Sequence, residues 1–249
     1  MKVYSKVFIV QTLIFWNSLT VDGQRMVQKY QIGMGAGVFV YQGDLTPERL
    51  GAYKTLKPSF NFYLNKIINP MIMARTQIAL GGLKGDDAKY ATPEYRRQRN
   101  FNFKTPVFEF SELVIADLLR DNMSKQYFGL SPYVFSGIGF TFLGTKRDYS
   151  RFNNEYFASE TTTIEGLATD VQHQLPTLIP VIPVGVGIKF PVSEKFLITA
   201  ETSYRFTFTD YIDGFSKAAN PLRKDSYQSH TIGIVYRPGA SNALKCPVF

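Results

Sequence analysis

Residues 126–143, QYFGLSPYVFSGIGFTFL, decide the fold. Phe128, Leu130, Val134, Ile138, Phe140 and Phe142 fall on one side of an extended chain, with Gly129, Ser131, Tyr133, Gly137, Gly139 and Thr141 on the other. Side chains alternate across a strand, so this spacing predicts a strand with one oily face and one small, polar face. It is far longer than the five or six residues or so of an ordinary soluble strand.

The same pattern extends in both directions. Upstream it predicts strands over 29–41, 56–65, 71–83 and 105–118, and downstream over 179–190, 196–208 and 227–236. In the first, Ile32, Met34, Ala36, Val38 and Val40 oppose Gln31, Gly33, Gly35, Gly37 and Phe39; in the seventh, Ile198, Ala200, Tyr204, Phe206 and Phe208 oppose Thr199, Glu201, Ser203, Arg205 and Thr207. A lipocalin-like barrel hides an apolar interior beneath a polar exterior. Here one face is nearly unbroken Ile, Val, Leu, Phe and Tyr and the other mixes Gly, Ser, Thr, Gln, Glu and Arg, as when lipid lies outside and a polar, filled lumen inside. A β-sandwich also places oily residues on one face, and the connections weigh against it. Short ones near 66–70, 120–125 and 191–195 alternate with long ones near 43–55, 84–104, 144–178 and 210–225, the rhythm of periplasmic turns and cell-surface loops. The prediction is an all-β, antiparallel transmembrane β-barrel of about eight strands, in the outer membrane, with both mature termini periplasmic.

Some residues resist the pattern. Glu109 and Glu112 have opposite parity, which a bulge between them would repair. Pro132, Pro180 and Pro183 lie inside strands and imply local irregularity, because proline removes a ladder donor. Gly33, Gly35 and Gly37 repeat along a strand, and making room inside a narrow barrel explains them better than a phosphate-binding loop does.

The first residues read as an address. Lys2 and Lys6 precede an apolar run over 7–15 and a small, polar stretch over 18–23, which predicts a signal peptide over 1–23 and a barrel domain over 24–249. The apolar run is well short of the ~20 residues of a membrane-spanning helix. The single cysteine, Cys246, allows neither an intramolecular disulfide nor a cysteine-based metal site. The formal charge is +8, and loss of Lys2, Lys6 and Asp22 with the signal would leave +7. No nucleic-acid-binding motif accompanies it, and the cluster Arg96, Arg97, Arg99 and Lys104 reads as solvated loop charge suited to lipid phosphates.

Candidate chemistry is sparse. Glu201 and Arg205 share the polar face, and with Arg75 and Lys189 they predict a lumen salt-bridge network plugging a narrow barrel, a conduction path being the alternative. His230 is a conceivable base for a hydrolase, yet Ser229 faces away from it and Ser226 reads as out of phase. Asp86, Asp87, Asp210 and Asp213 lack the spacing of a calcium loop and read as solvated. No catalytic set, cofactor motif or metal site emerges.

Several stretches, in this order, resemble the PorG-like family of small outer-membrane barrels associated with the type IX secretion system. They are GVFVYQGDL (37–45), residues 57–62, Gly85-Asp86-Asp87, RRQRNFNF (96–103), FEFSEL (108–113), RFTFTDYID (205–213), residues 220–227 and Cys246-Pro247. The resemblance implies a non-enzymatic barrel that anchors a periplasmic ring, built from a lipoprotein and its partner, to the outer membrane. With outer-membrane lipid around the wall, the candidate ring contacts are the turn residues Lys66, Asn69, Asp121, Lys125, Ser193 and Lys195. The alternatives are an independent small barrel binding lipid or a surface ligand through its loops, and a membrane-embedded hydrolase.

Overall fold

The computed structural model describes residues 30–119, 122, 129–220 and 224–238. The predicted signal peptide, Asp121, Lys125 and Cys246 lie outside these residues.

Eight long strands close into one antiparallel barrel: β1 (Tyr30–Gln42), β2 (Lys57–Ile67), β3 (Ile72–Asp86), β4 (Asn102–Asp117), β5 (Ser131–Leu143), β7 (Leu178–Pro191), β8 (Phe196–Thr207) and β9 (Ser226–Tyr236). Each pairs with its neighbours in sequence, and β9 returns to β1, with Gly35 opposite Gly233, so no edge is left open. A short β6 (Lys146–Asp148) continues the β5 side of β4, with Lys104 opposite Lys146. Among the described residues two α-helices lie in the long loops, α1 (Tyr95–Arg99) and α2 (Thr161–Gln172).

The alternation read in the sequence is the alternation of the wall. On β7 every second side chain from Pro180 to Phe190 is exposed and those between are buried. Ile32, Phe62, Val114, Ile138, Val186 and Ile232 stand outward, Ile232 at 68% exposure, which in water would be a very large apolar surface and in hydrocarbon costs nothing. Tyr30 and Arg237, at the two ends of the described chain, lie where the short turns are, Tyr30 opposite Lys66 and the Arg237 N–H donating to the Lys195 carbonyl.

The bulge expected between Glu109 and Glu112 is absent. The β3–β4 register runs unbroken from Ile72 opposite Ala116 to Asp86 opposite Asn102, and β4–β5 is equally regular. Glu109 therefore faces the lumen, fully buried, and Glu112 faces outward. Pro183 shows its cost as a gap: β5 and β7 pair at Ser136 opposite Val184 and again at Gly139 opposite Val181, but not between. Pro132 and Pro180 sit within the ladder without shifting it.

A plugged lumen beneath a folded cap: the candidate functional site

Inward-facing side chains fill the barrel, and its charges are paired at successive levels. Nearest the short turns, Lys189 on β7 donates to Asp117 on β4 and to Asn122, at 3.0 Å from the latter, while Ser131 also donates to Asp117. Above it, Arg75 on β3 donates to Glu201 on β8 at 2.7 Å and to Asn65 at 2.8 Å, and Tyr133 donates to the same Glu201 oxygen at 2.6 Å. The Arg75 guanidinium lies 4.0 Å from the centroid of the Tyr63 ring. Gly33 makes that possible, since a Cβ there would stand 2.1 Å from the Tyr63 ring. Above that again, Arg205 donates to Glu109 at 3.1 Å and to Ser229, and Tyr227 donates to Glu109 at 2.7 Å.

The four residues singled out in the sequence, Arg75, Lys189, Glu201 and Arg205, all point inward and are nearly fully buried. They form three separate pairings and not one network: only Arg75 and Glu201 meet each other. The missing partners, Glu109 and Asp117, both lie on β4, the strand whose parity was misjudged. Counting strictly in twos from Asp117 finds Glu109 on the same face.

The long loops fold down over this end. Asp87, with no exposed surface, accepts from Arg96 at 2.9 Å and from Arg99 at 2.7 and 3.1 Å, and both guanidinium groups also donate to the Asp44 carbonyl. Arg96 and Arg99 are thus buried clamps, correcting their reading as solvated charge; Arg97 and Lys104 are exposed. Phe101 stacks on Phe215 with centroids 4.2 Å apart, and Tyr41 meets Phe103 edge-on at 4.7 Å. Asp170 on α2 accepts three backbone N–H groups, from Ser216, Lys217 and Ala218 at 2.9 to 3.1 Å, and so ties α2 to the loop after β8.

The cap also holds acids in a dry place. The Tyr41 hydroxyl oxygen lies 2.6 Å from Asp213 and 2.7 Å from Asp225, both fully or almost fully buried, and its one hydrogen is shared between them. Burial, and then their proximity to each other, push Asp213 well above the usual carboxylate range, and burial does the same to Asp225. Burial, with the charges of Asp44 and Asp170 added to it, carries the half-buried Asp210 to about 7. Asp87 and Asp213 are therefore not solvated, and Asp86 accepts from the Ala88 N–H to start a turn.

The stretches that carried the family resemblance converge here. Tyr41, Asp44, Asp87, Arg96, Arg99, Phe103, Glu109, Arg205, Asp213, Asp225 and Tyr227 make the cap and the lumen level directly under it. A family model matches most of the chain: the family described as "Domain of unknown function (DUF6089)" matches residues 6–235. The chain belongs to DUF6089. No curated protein sequence matches it. Among solved structures, this DUF6089 chain is similar to Neisserial surface protein A, with 13% identity, 84% of this chain and 96% of the other covered and a TM-score of 0.46. It is also similar to the outer membrane protein OprG of Pseudomonas aeruginosa, at 9%, 84%, 95% and 0.46 in the same order. The attachment invasion locus protein Ail of Yersinia pestis gives 11%, 85%, 99% and 0.42.

The turn residues are mostly spent on their own turns. Asn69 accepts from the Met71 and Ile72 N–H groups, both at 2.8 Å, and Ser193 accepts from the Lys195 and Phe196 N–H groups. Lys66 points outward near the end of β2 and Lys195 is exposed, so of the described turn residues the two lysines keep free heads. His230 stands on the outer wall with Nε2 2.9 Å from the Tyr53 hydroxyl and Nδ1 3.1 Å from Thr202 Oγ1. Ser229 turns inward to Ser203, as read. Ser226 shares the parity of His230, contrary to its reading, but it is engaged by the Tyr204 hydroxyl and the Gln42 carbonyl.

Proposed function

We propose that this chain is a non-enzymatic outer-membrane anchor, a barrel that holds other components in place and passes nothing through its lumen. The observation that carries this reading is the stack of paired charges, Lys189 with Asp117, Arg75 with Glu201 and Arg205 with Glu109, closed over by the cap. A filled lumen leaves the wall and the two ends as the surfaces on which the protein can act. The apolar wall suits a bilayer, and the alternation of short and long connections supports a reading in which the short-turn end, with both termini, faces the periplasm.

The finer reading is a place in the type IX secretion machinery, with a ring lipoprotein and its partner docked on the periplasmic turns. The resemblance of the cap stretches supports it, and the free Lys66 and Lys195 heads at the short-turn end offer the contact. The test is affinity purification of the tagged full-length chain from gently solubilised outer membranes, with mass spectrometry of its companions. The ring proteins are expected in the wild-type eluate and depleted when Lys66 and Lys195 are changed to Glu. A barrel recovered alone, in cells whose type IX secretion survives deletion of the chain, overturns the secretion role and favours an independent surface barrel.

A further inference from the structure

The long-loop end of the wall carries a row of three lysines. Lys84 on β3 stands opposite Lys104 on β4, and Lys104 stands opposite Lys146 on β6, all on the outward face. Like charges directly opposite one another across a ladder repel, so the row costs stability until an anion answers it. The chain answers it only in part. Lys84 lies 3.5 Å from Asp86, whereas Lys104 and Lys146 have no ion-pair partner among the described residues. Asp148, the other carboxylate one step further out, is occupied by Asn102 and the Ser150 N–H. At the same end the outward side chains of β1, β7, β8 and β9 are Gln42, Leu178, Phe206 and Gln228, so the positive charge of the strand ends is confined to one side of the rim.

What lies beneath the row says which anion fits. One step toward mid-wall the outward positions are Gly82, Pro106 and Gly144, short groups that leave a shallow recess under the lysines. A further step down stand Leu80, Phe108 and Phe142, the two rings edge-on with centroids 5.7 Å apart. A lysine at such a boundary lays its stem along apolar surface and keeps its head among polar groups. An anion that also carries acyl chains would use both the cations and the apolar wall under them. We propose that Lys84, Lys104 and Lys146 bind the phosphate headgroup of an anionic lipid in the leaflet at the long-loop end, its acyl chains lying down the wall against Phe108 and Phe142. The row spans about 10 Å, two strand spacings, so a phosphate between any two neighbours lies within reach of both. Of the sequence cluster Arg96, Arg97, Arg99 and Lys104, only Lys104 belongs to the site. The site rests on the bilayer reading of the wall and is independent of the anchor role.

The experiment uses the full chain, purified in a nonionic detergent and incubated with equal amounts of phosphatidic acid and phosphatidylcholine of identical acyl chains, with native mass spectrometry of the lipid retained. The wild-type chain is expected to keep phosphatidic acid in preference to phosphatidylcholine. Lys104→Gln combined with Lys146→Gln should cut that preference about 25-fold, roughly fivefold for each lysine lost beside an anionic headgroup. Lys89→Gln combined with Arg97→Gln removes the same charge from exposed loop positions at the same end and should leave the preference unchanged. Ammonium phosphate in excess should not displace the lipid, because it lacks the chains that hold to the wall. Circular dichroism of the β signature shows that each variant is folded. A wild-type chain without preference, an equal loss in the two double variants, or displacement of the lipid by ammonium phosphate each overturns the proposal, the last in favour of a site for free phosphate.

Discussion

A buried ion pair is worth little against a well-packed apolar pair, yet losing one half of it is expensive, because the other charge stays behind. Arg75 and Glu201 are such a pair, and Tyr133 and Asn65 complete the set of partners. Arg75→Leu is expected to cost about 3–5 kcal/mol, read from urea unfolding in detergent micelles, and Glu201→Leu added to it should recover part of the loss. If the double variant is less stable than Arg75→Leu alone, Glu201 stabilises the fold without the guanidinium, through the hydrogen bond it accepts from Tyr133. The cap supplies a pH dependence of defined sign. Asp210 is raised to about 7 when folded, so between about 4 and 7 the folded chain holds a proton that the unfolded chain has released, and stability falls as pH rises across that window. Protease cleavage within 210–220 should therefore increase toward pH 7 and then level, and Asp210→Asn should flatten the rise over that window. The burial of these acids was not legible in the sequence. Asp87 reads as a loop carboxylate until the chain is folded, and only tertiary contact brings Arg96 and Arg99 onto it.

Strands show why one reading of the sequence is robust and another is fragile. Period two held over every long strand because lipid on one side and a packed lumen on the other penalise any slip, which would turn a whole face over. The reading failed where a single residue seemed to break the pattern: at Glu112 a bulge was invoked to spare one charge, whereas the continuous β4 ladder outweighs it. Strand ends were also less legible, since β3 runs to Asp86, past its last apolar side chain, and β4 begins at Asn102, ahead of the start expected at 105. The fit between β1 and β2 makes a test at this scale. Gly33 leaves the space that the Tyr63 ring fills, so Gly33→Ala should cost about 1–3 kcal/mol by overpacking, measured by the same urea unfolding. Tyr63→Leu, which removes the ring, should relieve most of that added cost when combined with it, although Tyr63→Leu alone gives up its contacts with Arg75 and Thr199. Additive costs in the double variant would place the strain of Gly33→Ala in the backbone and not against the ring.

The molecule as a whole is closed twice, by side chains within and by loops above, and the two closures are structurally distinct. The cap rests on Asp170 and its three N–H groups, on the Asp87 clamp and on the Phe101 and Phe215 stack. The lumen rests on the inward faces of β3, β4, β7 and β8. Trimming 144–178 removes α2 and so unties 216–218, which makes that long loop a structural member of the cap and not a free appendage. Opening the cap alone should not open a path. Single-channel recordings in planar bilayers are expected to show no steady current for the wild-type chain and none for Asp170→Ala, even where protease reaches 210–220. Current should appear only when the interior is also emptied, as in a chain that combines Asp170→Ala with Arg75→Ala, Glu201→Ala, Glu109→Ala and Arg205→Ala. A steady current through Asp170→Ala by itself would mean that the cap is the gate and the paired charges line a channel, and the chain would then be a transporter and not an anchor.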